Sequence, residues 1–383
     1  MIYLDNAATT WPKPEAVYVA IDSAMRAHGA NPGRGAYRMS VEAERLVDDT
    51  RHAIARLFNA PAPERVIFTL NCTDALNITL QGLINPNGRV VTGPFEHNAV
   101  TRPLHALRST GVQVAAAKPD GAFGIDLDDF RALCREGLDF AVISHVSNVT
   151  GCVAPIKEIA AITHEQGGLL VLDAAQSAGA LEIDMQDLGV DVLAAPGHKG
   201  LYGPMGTGVL VLAAALPMRP FREGGTGFQS ENPEQPTEYP WRLEAGTINL
   251  PGIAGLAAGV RFIQSVGVNM IAEHEAALAQ LLAAQLRQIE GVRVFGDKAP
   301  RTGVVSFRLG ATGVALTGVI LDDSFGIAVR TGLHCAPAAH RAIGTFPEGT
   351  VRVSFGQFNT AADVDALVAA SRKIGAAPIG TAG

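Results

Sequence analysis

One lysine stands where a charged side chain needs a reason to be. Lys199 lies in Ala194-Ala195-Pro196-Gly197-His198-Lys199-Gly200, which runs on into Leu201-Tyr202-Gly203-Pro204. The residues before it, Val190 to Ala195, form a short apolar run that reads as a buried strand. Glycines beside it let the backbone approach a ligand closely. A lysine held in a dry pocket loses its proton easily and bonds a carbonyl carbon as a Schiff base. Taken alone, it reads equally as a solvated loop lysine, because charged side chains usually lie at the surface. The rest of the chain must separate the two readings.

Other polar residues follow apolar runs in the same way. Asn71-Cys72-Thr73 comes after Thr69, at the start of a helical pattern. Backbone N–H groups and a Thr hydroxyl at such a place suit a phosphate, and an ordinary Thr N-cap explains the same residues. Glu96-His97-Asn98 follows Thr92 and brings a flat ring, while Asn148 and Thr150 follow Ser144. Asp173 closes another apolar run, with Gln176 three residues on. An unpaired carboxylate there is costly, and no neighbour in sequence supplies a cation. A protonated pyridine nitrogen would. Pyridoxal phosphate needs an aldehyde-binding lysine, an acid opposite its ring nitrogen, a flat group over the ring and a phosphate cradle. Lys199, Asp173, His97 and Thr73 offer one each.

A thiol stands in Val329-Arg330-Thr331-Gly332-Leu333-His334-Cys335-Ala336-Pro337. A histidine and an arginine nearby can favour the thiolate of Cys335; a buried inert cysteine is the alternative. Cys72, Cys134 and Cys152 are assigned to that alternative, although Cys72 lies near the phosphate position. Arg352, in Thr350-Val351-Arg352-Val353-Ser354, is a lone cation among apolar neighbours. It reads as a carboxylate ligand or as half of an internal salt bridge. Other templates fail. The glycines near Lys199 lack the dinucleotide-binding order, and the chain has no G-K-[ST], H-E-x-x-H or G-x-S-x-G.

These residues need a scaffold that brings strand ends together. Strands are expected at 65–69, 89–92, 112–116, 140–144, 168–173, 190–195 and 208–212, with helices between most of them. Several are apolar nearly throughout, as strands buried on both faces of a mostly parallel sheet are. Ligands bind outside the carboxyl ends of such strands. Ser40 is expected to cap a helix running to about Phe58. Residues 218–246 read as a long functional loop region. Helices follow at 253–265 and 269–289, then three strands (304–309, 326–330, 351–355) and a helix at 362–374. The tail, 375–383, is expected to fray.

Composition bounds the rest. The chain has 383 residues, 48% hydrophobic and 17% charged, with net charge −7. That fits a globular enzyme of two or three domains at roughly 150 residues each. No basic tract marks a nucleic-acid partner, and no apolar run reaches membrane-spanning length. The first residues lack a signal-peptide pattern, so a cytoplasmic location is expected. The four cysteines are widely spaced, which argues against a disulfide framework or a metal site.

At this point the motifs resemble those of cysteine desulfurases of the class V aminotransferase group, of pyridoxal-phosphate fold type I. The resemblance runs nearly end to end. It includes Tyr3-Leu4-Asp5-Asn6-Ala7-Ala8, Thr73-Asp74, Glu96-His97-Asn98, His145 to Gly151, Asp173-Ala174-Ala175-Gln176-Ser177, Gly197-His198-Lys199, Glu244-Ala245-Gly246-Thr247 and Arg330 to Cys335. The short R-x-G-x-H-C loop is similar to group II. The resemblance implies a seven-stranded mostly parallel sheet covered by helices. It implies a large cofactor domain, residues 15–255, and a smaller α+β domain, residues 1–14 and 256–383, carrying the cysteine loop. It implies that Lys199 bonds the cofactor and shuttles a proton, Asp173 pairs with the pyridine nitrogen, and Gln176 and Asn148 meet the phenolic oxygen. His97 stacks on the ring and exchanges protons. Thr73 and His198 bind phosphate, joined by Thr247 from the second subunit of a homodimer. Arg352 and Asn148 bind the substrate, Cys335 is the nucleophile, and Arg330 lines its loop. No metal is implied. The implied reaction turns L-cysteine into L-alanine, with sulphur carried on Cys335 as a persulfide and passed to an acceptor protein. A selenocysteine lyase, or another lyase or aminotransferase of class V, is the alternative. Three residues depart from the family pattern: Pro196 for a hydroxyl residue, Gly200 as an extra residue, and Leu333 for a polar one.

Overall fold

The computed structural model describes residues 1–121, 124–296, 302–310 and 312–376. Its centre is a seven-stranded sheet. In spatial order the strands are Val66–Thr69, Gly208–Leu212, Val192–Pro196, Leu169–Asp173, Phe140–Ser144, Arg89–Thr92 and Gln113–Ala116. Gly208–Leu212 runs antiparallel to both its neighbours, and every other pairing is parallel. Six strands therefore end on one edge of the sheet, at Thr69, Thr92, Ala116, Ser144, Asp173 and Pro196. All seven expected strands are present within a residue or two.

The unbroken apolar runs have a simple cause. Alternate residues of each strand face opposite ways, and both faces are covered. Val91, Ala141, Ile143, Leu170, Leu172 and Leu193 pack in a core with helices Arg38–Leu57, Leu127–Arg135, Ile156–Glu165 and Leu250–Val266. Val90, Val142, Val171, Val192 and Ala194 pack on the other side with helices Cys72–Leu83 and Asn98–Leu107. At roughly 1.5–3 kcal/mol for each large aliphatic side chain buried, the two layers dominate what holds this part together.

A second, smaller α+β part follows helix Val268–Leu286. Three strands are expected there. The structure has a four-stranded sheet, Arg330–Gly332, Thr350–Ser354, Val304–Leu309 and Val292–Phe295, antiparallel throughout. The expected strand at 326–330 is two pieces. Ile327–Ala328 pairs instead with Ile2–Tyr3 of the amino-terminal arm, so the chain start is built into this part. Helix Val314–Phe325 lies between, and helix Ala361–Ala376 closes the core with Leu367 and Val368 against Phe307 and Val351. The expected fraying of 375–383 falls outside the described residues beyond Ala376.

Two local expectations are corrected. Ser40 lies inside helix Arg38–Leu57, whose N-cap position is Tyr37. Its hydroxyl instead donates to the Asn31 carbonyl at 2.9 Å and accepts from Gly35 N–H, fastening the preceding loop. Thr73 is not an N-cap either. Asn71 takes that place and accepts from Asp74 N–H at 2.9 Å, which leaves Thr73 in the first turn. Among the described residues no single helix is long and apolar enough to cross a membrane.

Candidate active site

The strand ends surround a cavity of about 440 Å3. Thr73, His97, Asn148, Asp173, Gln176, His198 and Lys199 all line it, as do Cys72, Ser144 and Pro196. Seven expected residues from five separate stretches thus meet in one place. The volume lies in the range of small-molecule sites.

Lys199 is carried by a tight turn. Its carbonyl accepts from Tyr202 N–H at 2.8 Å, and Gly203 N–H donates to the Gly197 carbonyl at 2.7 Å. The turn is too crowded for side chains. A Cβ at Gly200 would lie 2.4 Å from the Ala178 carbonyl oxygen, so the extra residue of this motif can only be glycine. The amino-terminal arm clamps the same turn. Thr9 Oγ1, Thr10 N–H and Lys13 Nζ all donate to the His198 carbonyl, the last at 2.6 Å. Burial lowers the Lys199 pKa, and the nearby charges of Arg352 and Arg330 add to this against the pull of Asp173. Its amine is therefore closer to neutral than an exposed lysine's. The reading as a solvated loop lysine is set aside by that burial.

Asp173 is buried at the end of its strand. Its Oδ1 accepts from Ala175 N–H at 2.9 Å and from the Cys72 thiol at 3.4 Å. Among the described residues Oδ2 has no hydrogen bond, which leaves one carboxylate oxygen for a cationic ligand. His97 heads helix Asn98–Leu107, and its Nδ1 accepts from Ala99 N–H at 3.0 Å. The neutral ring therefore carries its proton on Nε2. Burial lowers its pKa, despite the Asp173 charge. His198 has an Nδ1 buried without a partner, and burial holds its pKa down, to about 4. Gln176 donates through Nε2 to the Ala7 carbonyl at 3.1 Å.

Cys335 and Arg330 stand beside this cavity rather than among the residues lining it. Arg330 Nη2 lies 3.4 Å from Cys335 Sγ, and Cys335 is exposed. The Cys335 carbonyl accepts from Asn98 N–H at 2.8 Å, which fixes the thiol loop next to His97. Asn148 Nδ2 donates to the His334 carbonyl at 2.7 Å. Both His334 and Cys335 have positive φ, 49° and 59°, so the loop is held in a backbone conformation that side chains disfavour. The histidine does not act as expected. Its ring is buried, with Nε2 3.1 Å from the carbonyl and hydroxyl oxygens of Thr350, and burial drives its pKa far down. A neutral ring engaged by Thr350 supplies no positive charge for a thiolate; Arg330 is the cation that can supply it.

Arg352 is fully buried, and Nη2 bonds Asp5 Oδ1 at 2.5 Å. Of the two sequence readings the internal salt bridge is present. Nη1 donates to the Asn148 carbonyl at 3.3 Å, and Nε has no partner. Thr247 is exposed and is not among the residues lining the cavity, with Asn31 Nδ2 3.3 Å from its hydroxyl. Within one chain the structure does not bring it to the site.

Two site residues escape a reading by residue type. Glu96 is buried and accepts from Ser144 N–H and from Ser144 Oγ at 2.6 Å. Burial raises its pKa to about 7. It ties the turn carrying His97 to the neighbouring strand end. Cys72, set aside as inert, touches Asp173. Each lies beside a residue that was singled out, and that adjacency was the only signal available.

The residues fit pyridoxal phosphate. A near-neutral lysine and an acid with one free oxygen face the same cavity. The free N–H groups of helix Cys72–Leu83 and the unpartnered His198 Nδ1 stand where a phosphate would be held.

A class V aminotransferase architecture is what this sheet and cavity define, and the chain belongs to that family, in its cysteine desulfurase branch, with the aminotransferase class-V match covering residues 2–367. A probable cysteine desulfurase of Methanothermobacter thermautotrophicus is 34% identical, over 96% of this chain and 92% of its own. A cysteine desulfurase of Salmonella dublin is 33% identical, over 98% and 93%. Among solved structures, the apo cysteine desulfurase of Thermococcus onnurineus NA1 superposes with a TM-score of 0.90 at 32% identity, over 97% of this chain and 94% of its own. The Escherichia coli cysteine desulfurase CsdA, in an S-sulfonic acid form, gives 0.87 at 29%, over 97% and 94%.

Proposed function

We propose that this protein is a pyridoxal-phosphate-dependent cysteine desulfurase that converts L-cysteine to L-alanine and carries the sulphur on Cys335 before an acceptor protein takes it. The observation that carries the reading is one cavity holding Lys199 and Asp173, with the Cys335 loop bonded to the residue after His97.

Bound pyridoxal phosphate supplies a carbonyl for the substrate amine and a ring that withdraws electrons. Lys199 would be the residue that holds that carbonyl, and its amine, kept near neutral by burial, would move the substrate α-proton. Asp173 holds the charge of the ring nitrogen. His97 covers the ring and offers Nε2–H for proton exchange. Thr73 and His198 would hold the phosphate, and Thr247 would reach it from the second copy of a homodimer. Gln176 and Asn148 face the phenolic oxygen. Arg352, with Nε free, and Asn148 hold the substrate carboxylate. Arg330 favours the Cys335 thiolate, which attacks the substrate sulphur. An Sγ–S bond forms and the C–S bond breaks. Its electron pair stays on the carbon skeleton, which gains a proton and leaves as alanine. A thiol or the acceptor protein then removes the sulphur.

We place the large domain at residues 15–255 and the small one at 1–14 with 256–383, the short cysteine loop being of group II type, in a cytoplasmic protein. The test is product analysis. Purified protein given L-cysteine and a thiol reductant should release alanine and sulfide in equal amounts. Pyruvate and ammonia instead would contradict the reading. Turnover with selenocysteine alone would move it to a selenocysteine lyase.

A further inference from the structure

Cys72 lines the cavity, and the proposed mechanism leaves its thiol unused. It begins helix Cys72–Leu83, is buried, and donates its thiol proton to Asp173 Oδ1 at 3.4 Å. Ala175 N–H donates to the same oxygen at 2.9 Å. The two donors arrive from different elements, one from the helix after Thr69 and one from the loop after Asp173 itself. Together they occupy Oδ1 and leave Oδ2 without a hydrogen bond.

We infer that Cys72 is a positioning residue for Asp173: its thiol fixes the carboxylate so that Oδ2 is the oxygen presented to a protonated ring nitrogen. This rests on the pyridoxal-phosphate reading above. The chemistry suits the task. A thiol is a weak donor, so it orients a carboxylate without drawing away much of its charge, whereas a hydroxyl would draw more. Burial, and then the Asp173 charge, hold the Cys72 proton on sulphur. A neutral thiol adds no second negative charge beside Lys199, where it would favour the protonated amine that the site must avoid. The same retained proton keeps Cys72 from competing with Cys335 for sulphur.

The experiment measures pyridoxal phosphate affinity of the full-length protein and the pH titration of its absorbance. The comparison is among wild type, Cys72→Ala, Cys72→Ser, Asp173→Asn and the Cys72→Ala/Asp173→Asn double variant. Cys72→Ala should weaken affinity about 3- to 10-fold, the worth of one hydrogen bond, and shift the absorbance titration to lower pH. Cys72→Ser should restore affinity to within about twofold, since a donor remains. In the Asp173→Asn background the Cys72→Ala effect should vanish, because positioning acts only through that carboxylate. Circular dichroism and melting of each variant exclude misfolding as the cause. An unchanged affinity and titration in Cys72→Ala, or an effect that persists in the Asp173→Asn background, would overturn the inference. Wild type that binds no pyridoxal phosphate would overturn the cofactor reading itself, a distinct failure. A readout that needs no folded variant is the infrared S–H stretch. The Cys72 band should lie below that of a free thiol in wild type; a band at the free-thiol position would equally overturn it.

Discussion

Burial sets the protonation of the groups that would move protons. Lys199 and His97 both have pKa values lowered chiefly by desolvation, and Asp173 opposes this in each case. In the proposed mechanism Lys199 serves as carbonyl ligand and proton carrier at once, so its loss would remove two functions. Lys199→Ala should lower alanine formation by more than about 10⁴-fold, beyond the usual range for one general base. Denatured wild type, reduced with borohydride beforehand, should keep the cofactor covalently bound while the variant releases it. Cys335→Ala should abolish sulfide release yet still bind pyridoxal phosphate with wild-type affinity; full desulfurase activity in that variant would remove Cys335 from the mechanism. Lys199 and Asp173 are legible in sequence because an ionisable residue at the end of an apolar run is costly unless something pays for it. Cys72 and Glu96 are not legible in that way. A buried cysteine is ordinary, and the side-chain partner of Glu96, Ser144, lies 48 positions away in the chain. The direction of the His334 ring is equally invisible, since adjacency to Cys335 says nothing about which way a side chain with positive φ turns.

At the scale of elements, the irregular stretch 218–246 is fastened to the sheet by a charge. Glu244 accepts from both Arg51 nitrogens, Nη1 at 2.8 Å and Nη2 at 2.5 Å, and from Phe68 N–H at 2.6 Å. Both side chains are nearly fully buried, at 6% and 7% exposure. Arg51 also bonds the Val66 carbonyl and lies 4.6 Å from the centre of the Phe68 ring. Removing one partner strands the other charge, so Glu244→Ala should destabilise the protein by about 3–5 kcal/mol. Chemical denaturation measures it, and a change under about 1 kcal/mol would show the pair to be dispensable. Most strands of the large sheet are legible because they are apolar on both faces, the edge strand Gln113–Ala116 being the exposed exception. Val292–Phe295 is not, because it is a four-residue edge strand with Arg293 exposed in its middle. Helix Val314–Phe325 is hidden by Gly318 and by apolar residues on most of its sides, including exposed Leu316 and Val319, which blur its period.

The whole molecule is two cores joined across the site. Leu4 of the arm belongs to the smaller core, while Thr9, Thr10 and Lys13 hold the Lys199 turn of the larger sheet. Glu275, on helix Val268–Leu286 between the two, is buried, and desolvation raises its pKa to about 8 from 4.5. A carboxyl raised on folding contributes most below its unfolded pKa, and the contribution is lost as pH rises through the folded value. The window is therefore about pH 4.5 to 8. Glu275→Gln cannot ionise, so its stability relative to wild type should increase by on the order of 3 kcal/mol between pH 5 and pH 9. A constant difference across that range would place the charge elsewhere. This coupling of the two cores is legible only in three dimensions, because Thr9 of the arm and the His198 carbonyl it holds lie 189 positions apart.

In the proposed mechanism a cavity lysine makes the substrate reactive and the neighbouring thiol collects its sulphur. Mass spectrometry of Cys335 tests it most directly. After brief exposure of the pyridoxal-phosphate-loaded protein to L-cysteine without reductant, the peptide carrying Cys335 should gain the mass of one sulphur atom, with one alanine released for each. The peptides carrying Cys72, Cys134 and Cys152 should be unchanged. Alanine released with Cys335 unmodified, or the extra sulphur on Cys72, would contradict the account.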